Sequence, residues 1–219
     1  MGCMFRDHRE FFRQFRTQFQ TTGAIAPSSR RLARAMTRYV AADRGPARIL
    51  EVGPGTGAVT RRIVALLKAD DRLDMVELNE AFAGRLEQRF RSEAAFKQAA
   101  DRARIHVCGI EAFQSERPYD FIVSGLPFNN FSPAFVGRVM DVFFDFLAPG
   151  GVLSFFEYMY VRPVRGLVAR GPERTRIKDI DRVLNGRLEE HGFRRDWVFL
   201  NLPPAWVQHL RKDARHVPR

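Results

Sequence analysis

The feature that most constrains this chain is an apolar run that breaks directly into a glycine-rich turn, Ile49–Ala58, reading ILEVGPGTGA. The apolar residues favour a buried parallel strand. Gly53, Gly55 and Gly57 allow a tight turn and a close approach of the backbone to a ligand. A helix is predicted directly afterwards, over Thr60–Leu67. The segment therefore predicts a nucleotide site across the turn between a strand and a helix.

An acidic residue follows this turn at the distance that a bound adenosine requires. Glu77 ends a second predicted strand, Arg72–Glu77, about 20 residues further on, where an acid can hydrogen-bond to ribose hydroxyls. A solvated acid at the end of a strand is the alternative interpretation. A nicotinamide dehydrogenase is disfavoured, because the chain has no Tyr-x-x-x-Lys pair and only four lysines.

Length and composition fit one α/β domain with appendages, since 219 residues with 45% hydrophobic side chains can bury a core. The net charge of +11 is concentrated at the ends of the chain. Residues 1–44 hold 9 basic and 3 acidic side chains, 45–160 hold 13 and 15, and 161–219 hold 14 and 7. This distribution indicates an anionic partner, either a membrane surface or a nucleic acid, with a generally solubilising surface as the alternative.

The cysteines and the hydropathy of the sequence indicate the cellular compartment in which the protein is expected. Cys3 and Cys108 lack metal-ligand spacing, so the sequence predicts no metal site and two reduced thiols in a cytosolic protein. There is no signal peptide and no apolar run near the ~20 residues that span a bilayer, so membrane contact is expected to be peripheral. Motifs of serine hydrolases, zinc proteases and P-loop enzymes are also missing.

The first predicted helix, Phe5–Phe19, is amphipathic. On a helical wheel its phenylalanines fall within about 120° of arc, and arginines occupy the neighbouring sector. This pattern is typical of an interfacial helix that turns phenylalanines toward acyl chains and arginines toward headgroups. Docking on the protein core is the alternative. The predicted membrane residues are Phe5, Phe12, Phe15, Phe19, Arg9, Arg13 and Arg16.

Helices and strands alternate along the middle of the chain and predict a doubly wound, mostly parallel sheet. A second helix is expected from Ser28 or Ser29 to about Ala42. A serine there caps the helix, and the free N–H groups at its start also favour a carboxylate. The next predicted elements are a helix over Glu80–Phe90, strands over Arg104–Cys108 and Tyr119–Val123, a helix over Ala134–Leu147 and a strand over Val152–Glu157.

The C-terminal part is expected to complete this sheet to seven strands. Pro149-Gly150-Gly151 predicts a stop before the strand that follows it. A last helix is predicted over Glu173–His191, with Gly192 as its C-cap residue. Two final strands, Trp197–Leu202 and Ala205–Leu210, are predicted to form an antiparallel pair. We divide the chain into N-terminal helices, residues 1–44, and a catalytic domain, residues 45–219.

Several motifs resemble those of known enzymes. The turn at Glu51–Gly57, the acid Glu77 and the segment Ser124–Phe128 (SGLPF) look like the three signatures of class I S-adenosylmethionine-dependent methyltransferases. The resemblance covers residues 23–160. Within that class the chain resembles the bacterial phospholipid N-methyltransferases, in Gly23–Arg30 (GAIAPSSR), Val76–Asn79 (VELN), Ser124–Phe131 (SGLPFNNF) and Phe156–Tyr158 (FEY).

The wider resemblance includes the ribosomal RNA adenine dimethylases. Their corresponding turn reads Asn-Leu-Pro-Tyr and uses the asparagine to hold the adenine amine. In this chain that position is Gly125, which has no side chain with which to read an adenine edge. This difference weakens the RNA alternative.

The resemblance implies where the cofactor binds. Glu51 and the glycine-rich turn would hold its methionine and ribose side, Glu77 its ribose hydroxyls, and Gly109–Glu111 would flank its adenine. The family often has an acid directly after that glycine. Ile110 stands there, so the contact to the adenine amine falls to Glu111 or to the backbone. The implied cofactor residues are Ser29, Glu51, Gly53, Gly55, Gly57, Glu77, Leu78, Ile110, Glu111, Ser124 and Leu126.

The reaction that the resemblance implies is methylation of phosphatidylethanolamine toward phosphatidylcholine, with S-adenosyl-L-homocysteine as the product. Glu157, Tyr158 and Tyr160 are expected to contact the proton or the headgroup. Phe128 is expected to exclude water from the transferred methyl group, with a loop anchor as its alternative role. Arg165 and Arg170 are expected to hold the lipid phosphate.

The expected partners are a phospholipid substrate and an anionic membrane surface, with no nucleic acid. The protein is expected to be a monomer in the cytoplasm, peripherally associated with the inner face of the membrane. An RNA adenine methyltransferase and a non-catalytic lipid-binding module are the alternatives.

Overall fold

The computed structural model describes residues 29–159, 172–201 and 203–214. The predicted helix over residues 5–19 lies outside this part of the chain. The main described elements are, in order, α1 (Arg30–Met36), β1 (Arg48–Val52), α2 (Thr60–Val64), β2 (Arg72–Glu77), α3 (Glu80–Ser92), α4 (Ala94–Lys97), β3 (Ala103–Val107), β4 (Tyr119–Ser124), α5 (Pro133–Phe146), β5 (Leu147–Tyr158), α6 (Pro172–His191), β6 (Gly192–Val198) and β7 (Ala205–Arg211).

The described strands form one seven-stranded sheet in the order β3-β2-β1-β4-β5-β7-β6. β1 to β5 pair in parallel, whereas β7 is antiparallel to both β5 and β6. β6 therefore runs in the same direction as β5. The carboxyl ends of β1 to β6 consequently lie at one edge of the sheet, called the carboxyl edge below. The predicted mostly parallel, doubly wound sheet is confirmed.

Helices cover both faces of this sheet because its central strands are apolar on both sides. In β1 only Arg48 is partly exposed, and the next four residues are buried. α5 and α6 pack on one face through residues such as Phe143 and Leu184. α1, α2 and α4 pack on the other face through Leu32, Ile63 and Phe96. No helix in the described ranges is long and apolar enough to cross a membrane.

The sequence prediction was wrong about how β5 begins. The strand starts at Leu147 and includes the predicted Pro149-Gly150-Gly151 stop, because the pairing with β4 shifts there. Gly150 has a φ of 78° and donates to the Lys212 carbonyl at 2.9 Å, while the Lys212 N–H donates to Gly151. The glycines therefore form an irregularity inside the strand rather than its boundary.

The C-terminal antiparallel pair is present, but its first strand was predicted in the wrong place. β6 covers Gly192–Val198, whereas the prediction was Trp197–Leu202. β6 is an edge strand, so Arg194 and Arg195 remain exposed and the segment lacks the apolar pattern of a buried strand. A Cβ at Gly192 would clash with the Leu188 carbonyl. Close contact at a helix–strand junction, rather than a left-handed C-cap, explains this glycine.

Candidate active site

The glycine-rich turn after β1 has the backbone geometry that its sequence predicts. Gly53, Gly55 and Gly57 have φ angles of 69°, 57° and 80°, a region that other residues rarely adopt. The Gly53 N–H donates to the Val76 carbonyl of β2 at 2.9 Å. The turn is therefore fixed to the neighbouring strand and presents its backbone at the carboxyl edge.

The turn after β4 packs directly against the glycine-rich turn. The Gly125 N–H donates to the Val52 carbonyl at 2.8 Å. A Cβ at Gly125 would stand only 2.5 Å from the Gly53 carbonyl oxygen, and a Cβ at Gly53 would stand 3.0 Å from Leu126 Cδ2. The two predicted site segments are thus brought together, and each limits the side chains that the other can carry.

Glu77 lies across the glycine-rich turn at the end of β2. Its carboxylate accepts from the Gly55 N–H at 2.9 Å and from the Asn79 N–H at 2.8 Å. Burial raises the pKa of Glu77, against the lowering effect of the N–H groups of Asn79, Gly55 and Leu78. The alternative of a solvated strand-end acid is wrong, because the side chain is buried.

Glu51 of β1 is buried beneath the same turn. Its Oε2 atom has no hydrogen-bond partner among the described residues. Burial raises the pKa of Glu51 to about 8, and the nearby Glu77 carboxylate adds to this, whereas Thr60 and Arg89 act in the opposite direction. A buried acceptor without a partner is costly. Glu51 is therefore a place where a donor or a cation on a ligand would be stabilised.

Arg89 of α3 holds the glycine-rich turn from outside, a role that no sequence motif indicated. Its Nη1 donates to the carbonyl oxygens of Thr56 and Gly57 at 2.7 and 2.8 Å. Its Nε donates to Glu93 at 2.8 Å, and the guanidinium lies 4.2 Å from the centre of the Phe96 ring. Arg89 thus binds the carbonyl groups of the turn and does not occupy the backbone N–H groups of the turn.

The segment predicted to flank adenine lies beyond β3. Leu78 is partly exposed and lies close to Gly109, since a Cβ there would stand 3.8 Å from Leu78 Cδ1. Ile110 is buried. The Glu111 carboxylate accepts from Arg138 Nε at 2.9 Å. The proposed contact between Glu111 and an adenine amine would have to form beside this ion pair, and it stays a prediction.

The segment after Ser124 is anchored by contacts with β5 and with α6. Phe128 begins a short 3-10 helix and is buried, with its ring 5.3 Å from that of Phe155. Arg176 Nη1 donates to the Phe131 carbonyl at 2.7 Å. Phe128 therefore acts as a loop anchor in this structure. Its contact with an acceptor stays a prediction. Ser124 is buried, and its hydroxyl accepts from the Leu126 N–H at 3.3 Å.

Glu157 and Tyr158, at the end of β5, point to opposite faces of the sheet because they are consecutive in a strand. The Glu157 carboxylate accepts from Gln208 Nε2 at 3.0 Å, whereas the Tyr158 ring packs against Phe156 at 5.1 Å. Burial raises the pKa of Tyr158 to about 12, so its phenol stays neutral and suits donation rather than proton removal. Tyr160, Arg165 and Arg170 lie outside the described residues.

Ser29 performs the capping role that was its simpler interpretation. Its hydroxyl accepts from the Leu32 N–H at 3.1 Å, and its N–H donates to Asn201 Oδ1 at 3.2 Å. These bonds connect the start of α1 to the loop between β6 and β7, at the carboxyl edge. A further contact of Ser29 with a cofactor carboxylate stays a prediction.

A serine–histidine–aspartate chain lies inside the sheet, where all three side chains are buried. The Ser154 hydroxyl lies 2.8 Å from His209 Nδ1, and His209 Nε2 lies 3.3 Å from Asp196. His209 is fully buried, and burial lowers its pKa to about 4. No substrate can reach this serine, so the chain is a structural network. No group of three or more His, Cys, Asp or Glu side chains in the described part could hold a metal ion.

Comparison with known proteins identifies the family to which the residues of this site belong. Residues 49–151 match the family described as a methyltransferase domain, which spans the glycine-rich turn, Glu77 and the turn after β4. These residues carry a methyltransferase domain, and its cofactor is S-adenosylmethionine. The residues present fit that cofactor, since the glycine backbone can approach a ligand closely, the Glu77 carboxylate lies across the glycine-rich turn, and Glu51 Oε2 is an acceptor without a partner among the described residues.

Two curated relatives of this methyltransferase differ in acceptor. An ornithine lipid N-methyltransferase from Singulisphaera acidiphila is 28% identical over 149 residues, covering 68% of this chain and 77% of that protein. Ribosomal RNA small subunit methyltransferase A from Burkholderia thailandensis is 36% identical over 100 residues, covering 45% of this chain and 35% of that protein.

Solved structures confirm the fold of the methyltransferase. The N-methyltransferase NodS from Bradyrhizobium japonicum WM9 has a TM-score of 0.61 at 19% identity, covering 84% of this chain and 96% of that one. Several other neighbours are O-methyltransferases at 13 to 15% identity. At these identities the structures show a shared fold and leave the acceptor open.

Proposed function

We propose that this methyltransferase acts on the amine of phosphatidylethanolamine, and on its mono- and dimethyl forms toward phosphatidylcholine, at a membrane surface. The observation that carries the proposal is the packing of Gly125 against Gly53, where a side chain has no room. An amide that could grip an adenine is therefore absent from this turn. The similarity to an enzyme named for N-methylation of a lipid supports the same acceptor class.

Methyl transfer requires the protein to align the donor and the acceptor amine more than it requires a strong acid or base. Bound S-adenosylmethionine supplies an electrophilic sulfonium methyl group. The glycine-rich turn, fixed by Arg89, would set the position of the donor, and the turn at Ser124–Phe128 that of the acceptor amine. The amine must be neutral to attack, so a proton has to leave. Glu157 is the described carboxylate that we propose to receive it or to orient the headgroup, beside Phe128 as the wall that excludes water.

The charge of the chain suits a lipid acceptor at an anionic surface. The net charge is +11, and the arginine-rich ends flank a near-neutral catalytic segment. We propose that Arg165 and Arg170 hold the lipid phosphate and that the helix predicted from the sequence over residues 5–19 rests on the membrane at the cytoplasmic face. Arginine is suited to phosphate, because its planar fork can donate two parallel hydrogen bonds.

The proposal is tested by radiolabelled methyl transfer into vesicles, with products separated by headgroup. Vesicles containing phosphatidylethanolamine should become labelled, and mono- and dimethyl products should appear in sequence. A parallel arm with ornithine lipid vesicles distinguishes the two lipid amines. Label in ornithine lipid alone would replace the acceptor while keeping the lipid class. S-adenosylmethionine binding without transfer to any lipid or RNA would favour the non-catalytic lipid-binding module.

Ribosomal RNA is the second candidate acceptor, because one relative methylates small-subunit ribosomal RNA by name at 36% identity. Both acceptors would give salt-sensitive binding to this basic protein, so affinity does not separate them. Small-subunit ribosomal RNA lacking its methyl groups should therefore be included in the labelling assay. Label in RNA and none in lipid would overturn the lipid assignment and leave the methyltransferase one intact.

A further inference from the structure

Large apolar side chains are exposed where β6 ends. Trp197, Phe199 and Leu200 are 56%, 62% and 69% exposed, although side chains of this kind are usually buried. The rings of Trp197 and Phe199 stack on each other, with centroids 5.6 Å apart and planes at 25°. These three residues are called the β6 patch below. Adjoining large apolar side chains that are this exposed indicate a surface that contacts a membrane or another molecule.

Arginines border the β6 patch. A groove of about 670 Å³ runs between it and the exposed side of α1, and its lining includes Arg31, Arg34, Arg38 and Arg62. The one acidic residue in that lining, Asp196, accepts from Arg38 at 2.5 Å and from Arg194 at 2.7 Å. Arg62 Nε is buried without a hydrogen-bond partner among the described residues. The groove therefore carries positive charge that suits anionic groups.

The β6 patch lies at the same edge of the sheet as the active site. β6 runs parallel to β5, so Val198 and Tyr158 end at the carboxyl edge, where Ser29 is hydrogen-bonded to Asn201. Two strand spacings separate β6 from β5, which is about 10 Å. A flat surface that touched the patch would consequently lie along the carboxyl edge, about 10 Å from the end of β5 and about 20 Å from the glycine-rich turn, four strand spacings away.

We propose that the β6 patch and the arginines of α1 dock on a bilayer that contains anionic phospholipid, and that this contact turns the active site toward its lipid acceptor. The inference rests on the lipid acceptor proposed above. Tryptophan and arginine together are typical of the membrane interface, where rings enter the headgroup region and cations meet phosphates.

Two other occupants fit the patch less well. A second copy of the chain paired along β6 would bring Arg194 and Arg195 of both copies close together, and like charges repel. A nucleic acid would stack its bases on open ring faces, but Trp197 and Phe199 already cover one face of each other, and aliphatic Leu200 offers no ring. The combination of aliphatic, aromatic and cationic groups favours a lipid surface.

Tryptophan fluorescence tests the contact directly, because Trp197 and Trp206 are the two tryptophans of the chain. In a Trp206→Phe variant the emission of Trp197 should shift to the blue on vesicles that contain anionic lipid. Lipids with brominated acyl chains should quench it. In the reciprocal Trp197→Phe variant, brominated lipid should quench the remaining emission less, because Trp206 lies behind the patch with its ring 5.6 Å from that of Trp197.

Pelleting with vesicles measures the strength of the contact. The Phe199→Ser/Leu200→Ser variant should bind about tenfold more weakly or worse. Val107→Ser is the matched control, since Val107 is 49% exposed on β3 at the opposite side of the sheet and should bind like the parent protein. Arg31→Glu/Arg34→Glu should also lose about tenfold, and only on anionic vesicles. Its control is Arg85→Glu/Arg91→Glu on α3.

The outcomes separate this inference from the acceptor assignment. The β6 patch variants should lose transfer to vesicles but keep transfer to the same lipid dispersed in detergent micelles. Acrylamide that quenches Trp197 equally in free and vesicle-bound protein would overturn the docking inference. So would an emission shift that RNA causes and vesicles do not, or a dimer that Phe199→Ser/Leu200→Ser dissociates. Absence of transfer in both vesicles and micelles would overturn the acceptor assignment instead.

Discussion

The carbonyl oxygen of Gly53 stands 2.5 Å from the position that a Cβ would take at Gly125. Each of these residues is hydrogen-bonded to a neighbouring strand, Gly53 to Val76 and Gly125 to Val52. Neither backbone can therefore move aside without breaking a bond at the carboxyl edge. The turn that would hold the donor and the turn that would hold the acceptor are thus a single mechanical unit.

We expect Gly125→Ala to weaken S-adenosylmethionine binding by about tenfold or more, because overpacking of a rigid contact typically costs about 1–3 kcal/mol. Calorimetric titration with cofactor alone measures this effect without any acceptor. Gly84→Ala on α3 is the control, since a Cβ there meets nothing within 4 Å and alanine favours the helix. Unchanged affinity in Gly125→Ala would show that the two turns move independently.

Arg89→Lys should also weaken cofactor binding, by about tenfold. Lysine keeps the charge but lacks the fork with which Arg89 reaches Thr56, Gly57 and Glu93 at once. Arg91→Lys tests the same exchange two residues further along α3, where the Arg91 side chain is 72% exposed, and should have no effect. Equal affinities for the two variants would remove Arg89 from the support of the turn.

The parts of the fold that the sequence predicted are those governed by local patterns. The strands β1 and β2 are apolar runs bounded by glycine or a strand-end acid, and the structure places them within a residue of the prediction. β6 was misplaced because an edge strand keeps arginines such as Arg194 exposed, and its pairing with β7 depends on distant residues. The Gly150 irregularity was missed for a related reason, since it depends on Lys212.

The candidate site shows the same division between local and distant causes. Motifs indicated the glycine-rich turn, Glu77 and the turn after β4. The two turns could be predicted because their backbone conformations require glycine. The motifs gave no signal for Arg89 or Arg176, because an arginine that donates to carbonyl oxygens fits any sequence around it. They left open whether Phe128 is a wall beside the acceptor or a loop anchor, because its packing on Phe155 depends on a strand 27 residues away in the chain.

Glu77→Ala should reduce the affinity for both S-adenosylmethionine and S-adenosylhomocysteine by at least about tenfold. The change removes the hydroxyl contacts that we propose and the acceptor of the Gly55 and Asn79 N–H groups, and bonds to a charged group are worth about 1.5–3 kcal/mol each. Glu77→Gln retains one acceptor oxygen, so its affinity for both ligands should lie between those of the parent protein and Glu77→Ala. Glu80→Ala, on the exposed start of α3, is the control. Parent-like calorimetric affinity in Glu77→Ala would exclude Glu77 from the cofactor site.

Deleting residues 1–20, which removes the predicted helix over residues 5–19, should strongly weaken pelleting with anionic vesicles and leave only the contact of the β6 patch, while cofactor binding stays intact. Each arginine near an anionic surface contributes about 1 kcal/mol, and the attraction fades with salt. A milder form of the test replaces Phe12 and Phe15 with serine in the full chain. If the truncated protein loses its cooperative thermal transition, the phenylalanine stripe belongs to the core and the membrane assignment of this helix is wrong.

The pH dependence of stability should identify Glu51 as the buried acid beneath the cofactor. Burial raises its pKa from the ordinary value of 4.5 to about 8, so between these pH values the folded protein holds a proton that the unfolded chain has released. The contribution of Glu51 is therefore fully present below pH 4.5 and is lost as the pH rises to 8. The loss amounts to about 3–5 kcal/mol in the free energy of unfolding.

Urea unfolding of the cofactor-free protein at pH 5 and pH 8, compared between the parent protein and Glu51→Gln, isolates this contribution. Glu77 has a raised pKa too and acts in the same direction, so the difference between the two proteins is the relevant quantity. Glu51→Gln should lose the steep part of the decline, while Glu80→Gln should keep it. Saturating S-adenosylmethionine should also flatten the parent curve near pH 8, because a cation beside Glu51 favours its ionised form. A parent curve with the same slope as Glu51→Gln would mean that Glu51 is ionised in the folded protein.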